Sequence, residues 1–185
     1  MVESFYRRPL PPPSVAFSSA AGRRLFEMAM REGGTSAYWR LSEQFLTQSE
    51  PAFCGLSSLI MSCNALGIDP LRRWKGVWRW YAEEMLDCCL NQSIVRQRGV
   101  DFDDMVRIAR CQGADVVARR GDLPHGTGLS AEEFRTVVKQ CCAYSIDDDS
   151  IGFNSSSFRN VLICNYSRKY MNQTGGMCVC VIINW

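Results

Sequence analysis

Cys54 stands at the mouth of a helical pattern. From Gly55 to Leu66 the residues Leu56, Leu59, Ile60, Cys63 and Leu66 recur near i, i+3, i+4 and i+7, the mark of an amphipathic helix. A thiol at that position faces unpaired backbone amides and the positive end of the helix dipole, which favour the thiolate, and the thiolate is the nucleophile. Gln48, an amide donor, lies six residues upstream within Thr47-Gln-Ser-Glu-Pro-Ala-Phe-Cys-Gly-Leu56. The other reading of the pair is a buried helix cysteine beside a surface amide, and spacing alone leaves both open. The chain has 10 cysteines, at 54, 63, 88, 89, 111, 141, 142, 164, 178 and 180, and a single histidine, His125, within Leu123-Pro-His-Gly-Thr-Gly128. Zinc sites carry paired C-x₂₋₄-C or C…H spacings, and only two adjacent pairs and one C-x-C occur here, so a structural zinc site is not expected.

The elements that must position Cys54 follow from the same patterning. Tyr6-Arg-Arg-Pro-Leu-Pro-Pro-Pro13 reads as an extended arm, because consecutive prolines lack N–H donors and disfavour helix before them. Ser18 and Ser19 can cap a helix with Leu25, Phe26, Ala29 and Met30 on one face, stopped by Gly33-Gly34, and a second helical stretch runs from about Tyr38 to Leu46. Asp69-Pro70 marks a turn. Trp74-Lys-Gly-Val-Trp-Arg-Trp-Tyr81 is an aromatic block with interleaved cations, which we read as core or substrate-pocket packing rather than base stacking. Asp101 or Asp103 opens a helix ending at Gly113, Ala114 to Ala118 reads as a strand, and Ser130 with Glu133 forms a capping box. The Asp, Ser, Gly and Asn run between Ile146 and Ser157 reads as a loop, followed by strand-like Val161-Leu-Ile-Cys164 and Val179-Cys-Val-Ile-Ile183. Helices first and strands later give an α+β class.

Length and charge narrow the partners. At 185 residues the prior is one domain with a sizeable core. Lys and Arg number 21 against 19 Asp and Glu, and this balance leaves no electrostatic footprint for nucleic acid or an anionic membrane. No apolar run approaches the roughly 18–20 residues of a spanning helix, and the polar, proline-rich start lacks a signal-peptide apolar region. The expected location is therefore cytoplasmic, where thiols stay reduced and most of these cysteines read as small buried hydrophobes.

Several segments together resemble the N-terminal catalytic domain of plant-type phytochelatin synthases. They are Phe5-Tyr-Arg-Arg-Pro-Leu-Pro11, Phe17-Ser-Ser-Ala20, Thr47 to Leu56, Asn64-Ala-Leu-Gly-Ile-Asp-Pro70, Trp74-Lys-Gly-Val-Trp-Arg-Trp80 and Glu84-Met-Leu-Asp-Cys-Cys89. The similarity thins after Leu90, with an insertion near Arg120 to Gly128, and returns at Tyr166-Ser-Arg-Lys-Tyr-Met-Asn-Gln-Thr-Gly175. The resemblance implies a papain-like cysteine peptidase fold, with an N-terminal helical part followed by an incomplete antiparallel sheet. It also implies an acyltransferase that takes glutathione, releases glycine, and passes the γ-glutamylcysteinyl unit to a second glutathione or a growing phytochelatin. Cadmium or zinc ions would act as activators, as metal thiolates of glutathione, with no organic cofactor. In this reading Cys54 is the nucleophile, and Gln48 donates to the oxyanion as the glutamine at that offset does in papain-like enzymes. Glutathione, phytochelatin and soft metal ions are the expected partners, without nucleic acid or membrane, and a homodimer is left open. A non-enzymatic cysteine-rich protein binding soft metals is the alternative, and it needs clustered, exposed thiols.

The sequence departs from the family pattern late. The family's general base is a histidine in a segment of the form Gln-Thr-Gly-Thr-Gly-His-Phe-Ser-Pro, oriented by an aspartate on the next strand. Here the residues are Gln173-Thr-Gly-Gly-Met-Cys-Val-Cys-Val-Ile-Ile-Asn-Trp185, with neither group, and nothing in the sequence places His125 near Cys54. The expected organisation is a proline-rich arm over 1–16, an incomplete phytochelatin synthase-like domain over 17–175 and a divergent tail over 176–185. Without its base such a chain is expected to be near-inactive, because losing the base of a triad costs on the order of 10⁴–10⁶ in kcat.

Overall fold

The computed structural model describes residues 9–87, 90–121, 128–143, 160–166, 168–172 and 180–184. Six α-helices and three strands occur among them: α1 (Ala20–Arg31), α2 (Ser36–Ser42), α3 (Cys54–Ala65), α4 (Gln92–Arg98), α5 (Phe102–Cys111), β1 (Asp115–Arg119), α6 (Ala131–Cys142), β2 (Asn160–Cys164) and β3 (Cys180–Asn184). Among these residues the architecture is a mixed helix-and-strand fold with no barrel.

Helix α3 is its centre. Leu56, Leu59, Ile60, Cys63 and Ala65 are buried, and so are Ser57, Ser62 and Asn64, so burial extends well beyond the expected apolar stripe. Val95 of α4, Met105, Val106 and Ile108 of α5, Val116 of β1 and Val161 of β2 complete the core around it. The helix ends are set by local chemistry. Ser19 caps α1 by accepting from the Gly22 N–H at 3.0 Å, and Asp101 with Asp104 and Ser130 with Glu133 form reciprocal capping boxes on α5 and α6.

The sheet is antiparallel, in the order β1-β3-β2. Asn184 pairs with both Asp115 and Asn160, and Cys180 with both Arg119 and Cys164. Residues 180–184, within the stretch that departs from the family pattern, therefore form the central strand.

Three expectations change. The second helix runs over Ser36–Ser42 rather than to Leu46. At 100° per residue, Leu41 and Leu46 would point about 140° apart on a helix, and unwinding after Ser42 lets both pack on the core. Leu25, Met28 and Met30 of α1 stay exposed, while Phe26 joins Phe17 and Tyr38 in an edge-on aromatic cluster with centroids 5.5 and 4.7 Å away. The tryptophan block also stays at the surface. Gly76 takes φ +56° inside a tight turn closed by a Lys75–Trp78 bridge, which leaves Trp74, Trp78 and Trp80 exposed and sends Tyr81 alone into the core. No helix among the described residues is long and apolar enough to cross a membrane.

Candidate functional site

Pro51–Phe53 form a single 3₁₀ turn that delivers the chain into α3. Proline suits the first position of such a turn, where no N–H is needed and its fixed φ is already helical. Phe53 and Leu56 are buried on either side of Cys54, and this anchoring turns the Cys54 side chain outward to solvent. Gly55 lets the first turn of α3 lie close to its neighbours, because a Cβ there would sit 3.1 Å from Val100 Cβ and 3.2 Å from Met105 Cε. Cys54 thus stands at the first position of a well-packed helix, as the sequence spacing predicts, and its thiol is exposed. Its own carbonyl accepts from the Ser58 hydroxyl at 2.8 Å.

Gln48 lies on the loop that leads to this turn. Its Nε2 donates to the carbonyls of Glu50 at 2.8 Å and Pro51 at 3.0 Å, so the carboxamide is seated against the backbone that carries Cys54. Donation to an oxyanion at Cys54 would take one of these two N–H groups from its carbonyl. Glu50 reaches the other way, to Arg96 of α4 at 3.3 Å. Both side chains of that pair are well exposed, so it adds little stability.

Residues that sequence reasoning missed hold the loop from behind. Glu83 takes hydrogen bonds from the Ser49 N–H, the Ser49 hydroxyl and the Ser57 hydroxyl. Asn64, two turns along the same α3 face as Ser57, binds both backbone groups of Tyr81. No local signal marks these contacts, since Ser49 and Ser57 precede Glu83 by 34 and 26 residues. A pocket of about 350 Å³ opens beside them, lined by Phe45, Trp74, Trp80, Glu83 and Glu84 among others, with Trp74 Nε1 donating to Glu84 Oε1 at 2.7 Å. That bond, with the Glu84 backbone bond ahead of it, lowers the Glu84 carboxyl below its ordinary range.

The other thiols have different surroundings. Cys63 is fully buried in the core, and desolvation pushes its pKa up to about 12. Cys141 and Cys142, half-buried near the end of α6, are also raised by desolvation, Cys141 further by the neighbouring Cys142. Among the described residues Cys54, Cys63, Cys141 and Cys142 are free thiols, and no group of three or more His, Cys, Asp or Glu side chains is placed to hold a metal ion. His125, Cys88, Cys89 and Cys178 lie outside the described residues.

The chain is similar to known proteins over most of its length. The family model for phytochelatin synthase matches residues 5–178. Glutathione gamma-glutamylcysteinyltransferase 1 of Lotus japonicus is 44% identical over 171 residues, 92% of this chain and 30% of the relative. The Arabidopsis thaliana protein of the same name is 42% identical over 93% of this chain and 32% of its own length. Glutathione gamma-glutamylcysteinyltransferase of Schizosaccharomyces pombe is 36% identical over 94% and 37%. The chain spans about a third of the length of these curated relatives. On the extent of these matches, the chain belongs to the phytochelatin synthase family.

Proposed function

We propose that this chain carries the nucleophile half of a glutathione γ-glutamylcysteinyl transfer, with Cys54 as the attacking thiol and Gln48 as the oxyanion donor. The observation that supports it best is the exposed Cys54 at the first position of α3, with the Gln48 carboxamide seated on the turn just before it. A central helix opened by its cysteine and followed by an antiparallel sheet also supports a papain-like arrangement.

In this reading the Cys54 sulfur attacks the carbonyl carbon that joins cysteine to glycine in glutathione. A C–S bond forms, the carbonyl electrons move to oxygen, and the amide of Gln48 with the first backbone N–H groups of α3 stabilises that charge. Collapse breaks the C–N bond, glycine leaves with a proton, and a γ-glutamylcysteinyl thioester remains on Cys54. The amine of a second glutathione then takes the acyl group and regenerates the thiol. Soft metal ions enter as substrate, bound to the glutathione thiolate. The first step needs a proton acceptor, and the family's histidine does not stand in its segment after Gln173, so the step is expected to be slow here.

The test is mass mapping after incubation with glutathione, with and without cadmium. A γ-glutamylcysteinyl adduct on the Cys54 peptide, matched by free glycine and absent from Cys54→Ser, is the expected result. An adduct on another cysteine, or glycine release that survives Cys54→Ser, would refute the assignment.

A further inference from the structure

The loop between Gln48 and the turn at Pro51 has no regular structure of its own, and one carboxylate from a distant segment holds it. The two oxygens of Glu83 accept from the Ser49 N–H at 3.1 and 3.3 Å, one also accepts from the Ser49 hydroxyl, and the other accepts from the Ser57 hydroxyl at 3.0 Å. Ser49 immediately follows Gln48, and Ser57 lies three residues beyond Cys54 on α3. A single side chain therefore ties the Gln48 side of the loop to the helix that carries Cys54. Glu83 is itself well fixed. Its carbonyl accepts from Gln92 Nε2 of α4 at 2.9 Å, and the chain two residues earlier is bound to Asn64.

We propose that Glu83 is a positioning residue for acyl transfer at Cys54: its carboxylate, clamped between Ser49 and Ser57, sets the placement of the Gln48 carboxamide relative to the thiol. The proposal rests on the Cys54 and Gln48 reading above and goes further by naming what holds the donor in place. An ionised carboxylate suits the task because all three donors need an acceptor and it offers two acceptor oxygens, with hydrogen bonds about twice as strong as neutral ones. A carboxamide has one acceptor oxygen and would turn an N–H₂ toward one of the donors, so Glu83→Gln opens one side of the clamp. Small displacements matter here, since a misplacement of about 1 Å at a reacting centre can cost on the order of 10²-fold.

Two reagents separate this role from general stability, and neither needs a catalytic base. With p-nitrophenyl acetate, the Cys54 thiolate attacks the ester carbonyl, a C–S bond forms, an oxyanion develops, and collapse expels p-nitrophenolate. Iodoacetamide alkylates the same thiolate by displacing iodide, with no oxyanion at any stage. Rates are read on the full chain, with Cys54→Ser subtracting the other thiols. Gln48→Ala is expected to slow acylation by about a hundredfold, as loss of an oxyanion donor does elsewhere. Glu83→Gln is expected to slow it by about tenfold, with the double variant no slower than Gln48→Ala because both act through one group. Alkylation should stay within about twofold of the parent in all three, since no oxyanion forms there.

If Gln48→Ala is slow and Glu83→Gln matches the parent, this proposal fails while the reading of Gln48 stands. If Gln48→Ala itself matches the parent, the oxyanion reading fails and the positioning role falls with it. Equal losses in both reactions, or additive losses in the double variant, would also overturn the proposal, because they mean only general structural support. Should circular dichroism show Glu83→Gln unfolded, Ser57→Ala decides by the same criteria, as it removes the helix side of the clamp and leaves the carboxylate in place.

Discussion

The Asn64 carboxamide bridges both backbone groups of Tyr81, donating from Nδ2 to its carbonyl and accepting its N–H at Oδ1, each at 3.1 Å. Asn64 and Tyr81 are both buried, so removal of the amide would strand two backbone groups away from water. Each stranded group costs about 1–3 kcal/mol, so Asn64→Ala should lose about 2–6 kcal/mol in urea unfolding. Asn64→Asp should be about as costly, because its carboxylate can accept the Tyr81 N–H but strands the carbonyl and buries an unpaired charge beside it. A change below about 0.5 kcal/mol for either variant, the range of an ordinary surface substitution, would contradict the bridge.

Cys54 and Cys63 should differ sharply toward alkylating reagents. The exposed thiol at the start of α3 is expected to react in the native state, and Cys63, fully buried with its pKa pushed to about 12, only after unfolding. Timed iodoacetamide labelling with peptide mapping checks the order. Cys63 also carries a pH dependence. Its folded pKa is raised from 9.0 to about 12, so its contribution to stability is full below about pH 9 and is lost as the pH climbs toward 12. Cys63→Val should weaken that alkaline decline.

Asp104 should govern the acid side. Burial disfavours its charge, but the Arg98 guanidinium at 2.7 Å, the Asp101 backbone N–H and the charges of Arg98 and Arg107 together hold its carboxyl below the ordinary value of 3.8. A lowered folded pKa stabilises above the unfolded value, so this contribution is present above about pH 4 and fades as the pH falls further. Thermal melts between pH 3 and 6 should show that loss in the parent and a flatter profile in Asp104→Asn.

Gly22→Ala offers a steric test. An added Cβ would lie 2.3 Å from the Ala16 carbonyl oxygen, which also accepts from the Ser19 hydroxyl, and 2.5 Å from that of Phe17. The helix-propensity gain of about 1 kcal/mol should be outweighed, giving net destabilisation of about 1–3 kcal/mol. A rise in melting temperature would contradict the close approach.

What the sequence made legible is local. The i, i+3, i+4, i+7 spacing located α3 and put Cys54 at its mouth, and Ser130 with Glu133 announced the start of α6, because these signals lie within a few residues. For the tryptophan block only the core half of the reading fails, since apolar composition says nothing about a turn at Gly76 that lifts the rings from the core, while Trp74 and Trp80 line the pocket beside Glu83. The same holds for Glu83, whose partners are decided by tertiary packing of segments far apart in sequence.

The position of β3 between β1 and β2 dictates an order of assembly during synthesis. Both outer strands leave the ribosome before the strand that joins them, and Asp115 must wait for Asn184. Until then β1 and β2 each present open edges with no mutual pairing to fall back on, so the helical core around α3 forms on the nascent chain and the sheet closes onto it afterwards. Translation pauses between the codons for Cys164 and Cys180 would lengthen that exposed interval, and chaperone capture should be greatest there.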